Sequence, residues 1–285
     1  MENLTAFANK PILDLARENN ISIEVLPDLD SLYLHFARSI ADEVKENNKK
    51  NRKTSFIFPV GPIGQYPVLV KISNEEKISW HSVHIFNMDE YCDWQGRAID
   101  PRHPLSFRGF MQREFIEQLE PEIRILEGNV QFPDPLNLDQ ISTRIKDIGG
   151  IDTCYGGIGY HGHVAFNEPI ISRWYQISAD DFRNSKTRLL QLAPETVVMN
   201  SIRSTGGNPA LLPPMAVSLG MGDIYNSKKI RLYCQGGAWQ RTVLRIAITV
   251  HDDVRYPVTL LNRHLDLKII TTEDTAKNPV AEIAA

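Results

Sequence analysis

TSFIFPVGPIGQYPVLVKISN, running from Thr54 to Asn74, carries the pattern on which the fold depends. Thr54–Pro59 is apolar without alternation, as a strand covered on both faces must be. Gly61 and Gly64 follow, and the spacing beyond them predicts a helix over Tyr66–Asn74. A buried strand, a glycine turn and a helix in that order form one crossover unit of a parallel sheet. Upstream, Leu29, Leu32, Tyr33, Phe36, Ile40 and Val44 recur every three or four residues and predict a surface helix over Asp28–Asn47, capped by Asp28 or Asp30. The basic run Lys49–Lys53 then reads as a solvated loop. Downstream the pattern predicts a strand at Val83–Phe86, a helix at Phe110–Leu119, a strand at Ile123–Leu126, and a helix carrying Leu138, Ile141, Ile145 and Ile148. Further strands are expected at Thr153–Tyr155, Val197–Met199, Met215–Leu219, Ile230–Cys234 and Leu267–Ile270, with a helix near Ala238–Val250. Such alternation gives an α/β fold with a mostly parallel sheet, and the absence of a linker, repeat or low-complexity tract favours one domain over two.

Composition narrows the function. The chain has 285 residues, 42% hydrophobic and 23% charged, and 31 basic against 35 acidic residues give a net charge of −4. No global positive field is present to hold a polyanion, so nucleic acid is not an expected partner. The longest apolar stretches, such as Ile246–Val250, fall far short of the roughly 20 residues that cross a bilayer, so no membrane span is expected. MENLTAFANKPILDLARENN lacks the apolar block of a secretory signal, which points to the cytoplasm. Cys92, Cys154 and Cys234 are odd in number and far apart, and argue against a disulfide framework or a structural zinc site.

In an open parallel sheet, ligands gather beyond the carboxyl ends of the strands. Three loops fall there. VGPIG, after Thr54–Pro59, offers Gly61 and Gly64 for backbone approach to an anion, but Pro62 removes an amide and Val60 and Ile63 supply no hydroxyl. FNMDEYCDW sets Asp89 and Glu90 at the end of the strand Ser82–Phe86, followed by Tyr91 and Trp94; a carboxylate partly withdrawn from water there gains the basicity of a general base. The third loop, Gly156 to Pro169, reads GGIGYHGHVAFNEP and brings His161, His163 and Glu168 within a short span. Acid–base chemistry, a metal held by HxH with a nearby acid, and a structural glycine turn are all consistent with it, although no further cluster of ligand spacing adjoins it.

FNMDEY and GGIGYHGHVAFNEP, about seventy residues apart, resemble the glucosamine-6-phosphate deaminase/isomerase family. SFRGFMQREF, ILEGN, LGMGDI and YPVTLLNRHLDLKIITTEDTA add to the resemblance, which spans Ile21 to Ala276 and leaves residues 1–20 as an N-terminal extension to a domain over 21–285. It implies a modified doubly wound, Rossmann-like α/β fold, and aldose–ketose isomerisation with deamination of a 2-amino-sugar 6-phosphate, with no redox cofactor and no obligatory metal. It also implies a small-molecule sugar as partner and a homo-oligomer. In the family scheme Asp89 would shuttle a proton between C2 and C1 of the opened sugar, and His163, oriented by Glu168, would assist ring opening. Gly61, Gly64, Glu90, Gly156, Gly157, Arg203, Trp239 and Arg241 are the candidate substrate contacts.

The departures from the family pattern are equally informative. His161 stands where the family has an aspartate two residues before the active histidine, so a group that is neutral or positive near neutrality replaces a carboxylate. In the phosphate apparatus, VGPIG lacks the usual hydroxyls, Ile202 follows Asn200-Ser201 where an arginine is usual, and Trp239 falls where a lysine is expected. Loss of charge-assisted donors, each worth roughly 1.5–3 kcal/mol, would cripple phosphate binding in the family geometry. Either Arg203 and Arg241 substitute, or the substrate bears no phosphate and Trp239 stacks on the sugar; the second is preferred. The stretch Pro169–Met199, longer than usual and placed where the family has a mobile lid, brings Trp174, Tyr175, Arg183 and Arg188 into consideration for substrate access. Two alternatives accompany the isomerase/deaminase reading: a hydrolase like the related 6-phosphogluconolactonases, and a catalytically silent homologue that binds a sugar.

Overall fold

The chain lays down ten strands in order: Ser22–Leu26 (β1), Thr54–Phe58 (β2), Val83–Asn87 (β3), Asp89–Cys92 (β4), Val130–Gln131 (β5), Thr153–Gly157 (β6), Arg188–Gln191 (β7), Met215–Ser218 (β8), Lys229–Cys234 (β9) and Leu267–Thr272 (β10). They are seen in a computed structural model that describes residues 8–169 and 174–279. Seven strands form one sheet in the order β1-β10-β9-β6-β2-β3-β5, with every neighbouring pair parallel. From β2 the chain builds outward through β3 to β5, then returns to place β6 on the other side of β2 and builds outward through β9. The junction of β2 and β6 is therefore the topological switch point, where the loops leaving two strands diverge and open a crevice. β4, β8 and β7 make a second, antiparallel sheet of three short strands.

Period-two alternation along the central strands divides the interior into two layers. Phe56, Phe58, Tyr155 and Tyr233 pack with Leu32, Phe36, Ile40 and Val44 of the helix Leu29–Lys49 and with Tyr66 and Leu69 of the helix Gln65–Glu75. Their sequence neighbours Ile57, Cys154, Leu232 and Cys234 join the opposite cluster, with Val243, Leu244, Ala247 and Ile248 of the helix Arg241–Thr249. Ile12, Leu15 and Ala16 of the N-terminal helix Ile12–Glu18 belong to that second cluster. Asp28 caps the long helix as expected, accepting a hydrogen bond from Ser31 N at 2.8 Å.

Several elements differ from the pattern reading. Ile123–Leu126 is not a strand: Ile123 and Ile125 are buried, but the Ile123 carbonyl accepts from Trp80 N at 2.8 Å in a turn, and the ladder is taken up later by β5. Val197–Met199 lies inside the helix Pro194–Ser204, where Pro194 and Glu195 in the first turn outweigh the β-branched pair. Phe110–Leu119 divides into the helix Phe107–Met111 and a π-turn over Gln112–Ile116. Met215–Leu219 does form a strand, β8, but an antiparallel one outside the main sheet. β1, β4 and β7 were not anticipated; β1 is an edge strand, while β4 and β7 flank β8 and need its partnership to exist.

Candidate functional site

Beyond the carboxyl ends of β2 and β6 lies a cleft of about 310 Å³. The loop after β2 supplies Val60, Gly61 and Pro62, the loop after β6 supplies Gly157, Gly159 and His163, and the helix Pro194–Ser204 closes a side with Thr196, Met199, Asn200 and Arg203. The two loops meet closely. A Cβ on Gly157 would stand 3.0 Å from the Gly61 carbonyl oxygen, and one on Gly159 would overlap His163 Nε2 at 1.8 Å, so glycine is required for His163 to lie where it does.

β8 binds the second and third loops together. Asp89 opens β4 opposite Ser218, and Ser218 Oγ accepts a hydrogen bond from Phe166 N at 3.0 Å. Asn167 donates through Nδ2 to the carbonyls of Val164 and Leu219, each at 2.9 Å, and Leu219 N donates to Met88 O at 2.7 Å. The small sheet thus fixes Asp89 and the His163 loop in one frame.

Asp89 lines the cleft yet is only 6% exposed. Burial, and secondarily the charge of Glu90, push its carboxyl up to about 8. No side chain among the described residues donates a hydrogen bond to it. Its neighbour Glu90 does not reach the cleft wall. That carboxylate accepts from Tyr91 N (2.9 Å), Ser106 Oγ (2.8 Å), Phe107 N (2.9 Å) and Arg108 N (2.8 Å), tying β4 to the start of the helix Phe107–Met111.

His163 lines the cleft and Glu168 stands behind it, with His163 Nδ1 at 3.1 Å from Glu168 Oε2. His161 approaches the same oxygen, its Nδ1 at 3.9 Å, while its Nε2 lies 3.9 Å from Glu195 Oε2. Burial opposes the charge of Glu168, but His163, with help from Thr196 and His161, outweighs it and holds the carboxyl below its usual range.

The other sequence-derived candidates separate into two groups. Gly61, Gly157, Arg203 and Trp239 line the cleft, and the Arg203 guanidinium lies over the Trp239 ring, 5.7 Å from its centroid. Gly64, Gly156 and Arg241 do not. Gly64 packs on the Tyr33 ring, Gly156 faces Met88 and Leu232, and Arg241 is buried, donating to Asp274 O at 3.1 Å and Asp274 Oδ1 at 3.0 Å. Arg183 and Arg188 likewise stay away from the cleft: Arg183 Nε donates to Leu260 O at 2.9 Å, and Arg188 donates to Asn167 Oδ1 at 2.8 Å. Trp174 and Tyr175 are exposed, and residues 170–173 lie outside the described residues. Sequence reasoning missed Met199, Phe107, Phe110 and Gln235 on the cleft wall, because an apolar or amide side chain in a helix or loop carries no signal of its own.

The class of protein is thus a doubly wound parallel sheet with a buried carboxyl, Asp89, and a His163–Glu168 pair at the cleft of its switch point. No family model matches the chain. Curated relatives do. A glucosamine-6-phosphate deaminase of Borrelia garinii subsp. bavariensis is 32% identical over 257 residues, covering 87% of this chain and 88% of that protein. One from Porphyromonas gingivalis strain W83 is 35% identical over 258 residues, covering 87% and 89%. The chain belongs to the glucosamine-6-phosphate deaminase family. Among solved structures, a monomeric glucosamine-6-phosphate deaminase superposes with a TM-score of 0.76 at 21% identity, covering 90% of this chain and 99% of that one. A 6-phosphogluconolactonase from Shewanella baltica superposes at 0.60 and 17% identity, covering 88% and 97%, so the fold is shared by both kinds of enzyme.

Proposed function

We propose that the protein is an aldose–ketose isomerase that deaminates a 2-amino sugar, with Asp89 as the proton-transferring base. The observation that carries the reading is the Asp89 carboxyl, buried on the cleft wall and raised to about 8, which accepts and returns a proton near neutrality. Asp89 takes the proton from C2 of the opened sugar and returns it to C1. The C2 imine so formed adds water and expels ammonia, leaving the ketose. His163, held by Glu168, protonates the ring oxygen during opening. The related proteins named glucosamine-6-phosphate deaminases support this assignment.

The reading extends to the substrate's far end. Among the described residues lining the cleft, Arg203 is the one side chain with a permanent positive charge, and Trp239 presents a ring beside it. Arg241, the other proposed substitute, is engaged with Asp274. A single arginine and an aromatic plate favour a sugar that is not held by a cluster of phosphate donors. In the same reading residues 21–285 form the catalytic domain, residues 1–20 an extension, and the enzyme works in the cytoplasm as a homo-oligomer, which sedimentation of the purified chain would measure.

The test is to incubate the protein with glucosamine 6-phosphate and with unphosphorylated amino sugars, following ammonia and ketose. Turnover that Asp89→Asn lowers by about a hundredfold or more supports the proposal; no product from any amino sugar overturns it. The lactonase fold relationship makes hydrolysis of a sugar lactone the second reading, and lactone opening that survives Asp89→Asn would select it. Saturable sugar binding without turnover would select the silent homologue.

A further inference from the structure

His161, which the proposed reaction does not use, adds a third ligand-type side chain to the His163–Glu168 pair. We propose that His161, His163 and Glu168 bind one divalent transition-metal ion through the two Nδ1 atoms and a Glu168 carboxylate oxygen. One ligand-type atom from each of the three residues lies within 4.8 Å of the other two. His163 Nδ1 and His161 Nδ1 stand 3.1 and 3.9 Å from the same Oε2. An ion with bonds of about 2.1 Å sets tetrahedral ligand atoms about 3.4 Å apart, so a small turn of the His161 ring completes the set.

Two further observations point to a cation. Both Nδ1 atoms and both Glu168 oxygens are buried, His163 and Glu168 being only 9% and 8% exposed, and among the described residues the 3.1 Å approach of His163 Nδ1 to Glu168 Oε2 is not aligned as a hydrogen bond. Ligand-type atoms buried side by side without well-aligned hydrogen bonds are costly for a protein alone, and a metal ion would relieve that cost. Gly162, between the histidines, has φ 73, a left-handed conformation that breaks the alternation of an extended His-x-His and turns both imidazoles toward Glu168.

The surroundings fit as well. The Glu195 carboxylate, 3.9 Å from His161 Nε2, is an ion-pair neighbour of that ring rather than its hydrogen-bond partner, and it adds negative charge near the proposed ion. Two neutral imidazoles and one carboxylate leave coordination positions for water and suit zinc, cobalt or iron(II) rather than magnesium or calcium.

The proposal shares His163 and Glu168 with the proposed sugar reaction but not Asp89, and the experiment separates the two. Tag-free, full-length protein is stripped with a chelator and titrated with Co²⁺, following visible ligand-field absorption, with Zn²⁺ as competitor. One ion per chain is expected, with affinity falling at least about tenfold in His161→Gln and in Glu168→Gln, since loss of even an outer-shell partner costs that much. Asp89→Asn is expected to bind the ion like the wild type whether or not turnover is seen. Thermal unfolding of the metal-free variants checks that they fold. As a measurement free of any variant, Zn²⁺ should shift the Nδ1 resonances of two imidazoles in the nitrogen-15 spectrum. Absence of saturable binding, equal affinity in a folded His161→Gln, or imidazole resonances unmoved by Zn²⁺ would overturn the proposal.

Discussion

Asp89 and Glu90, adjacent in sequence, are delivered by β4 to opposite circumstances: Asp89 meets the cleft with no hydrogen-bond donor on its carboxylate among the described residues, and Glu90 is held by three backbone amides and the Ser106 hydroxyl. Successive side chains of a strand face opposite sides, so two acids in tandem are separated into a reactive group and an anchor.

Replacing Asp89 with Asn should lower kcat by about 10²- to 10⁴-fold, the usual contribution of a positioned acid–base group, while the far-ultraviolet spectrum stays unchanged. In the wild type, kcat/KM should rise with pH along a limb centred on the Asp89 carboxyl, about 8, and that limb should disappear from the residual activity of the variant.

The same carboxyl makes a signed prediction for stability. An unfolded aspartate titrates near 3.9, and the folded group at about 8, so between these values the folded state binds more protons. This group's penalty is absent below pH ~4, grows as pH rises, and is complete above about 8. Asp89→Asn should therefore unfold at higher denaturant than the wild type at pH 9, by up to a few kcal/mol, and the advantage should vanish at pH 4.

Glu90→Gln should act on stability instead. Each hydrogen bond to a charged acceptor is worth roughly 1.5–3 kcal/mol, and a neutral amide oxygen retains only part of that for its amide donors. A loss of about 2–4 kcal/mol is expected in chemical denaturation. Loss of activity without any loss of stability would contradict the anchoring role.

Two glycines of the cleft should respond oppositely. Gly159→Ala places a methyl group on His163 Nε2 and should cut activity severely, whereas Gly61→Ala meets nothing within 4 Å and should leave stability within about 0.5 kcal/mol. Activity and melting curves of the two variants measured side by side check this.

Asp152 tests the base of the sheet. It accepts from Ser55 N at 3.0 Å and from Lys228 Nζ at 2.8 Å; although burial favours its neutral form, these partners and Arg52 hold its carboxyl below the usual range. That stabilisation is present above pH ~4 and is lost as pH falls through the lowered folded value. Asp152→Asn should flatten the acid limb of the stability profile.

Much of this was legible beforehand. The βα unit at Thr54–Asn74, the helix capped by Asp28, and the placing of FNMDEY and GGIGYHGHVAFNEP after strands follow from periodicity, caps and glycines, which act over a few residues. The family followed from two motifs. The small sheet was not legible, because β4 and β7 are four-residue strands with no period of their own and exist only where β8 passes between them.

By itself, then, the sequence determined a parallel α/β chain with a carboxylate and a His–Glu pair at the strand ends, because local pattern and local chemistry are written residue by residue. Tertiary structure decided which acid of Asp89-Glu90 faces the cleft, that Arg203 reaches it while Arg241 serves Asp274, and that His161 and His163 converge on Glu168. Those outcomes depend on strand pairing, burial and the approach of loops distant in sequence, and distances of that kind are set only when the sheet has closed around its switch point.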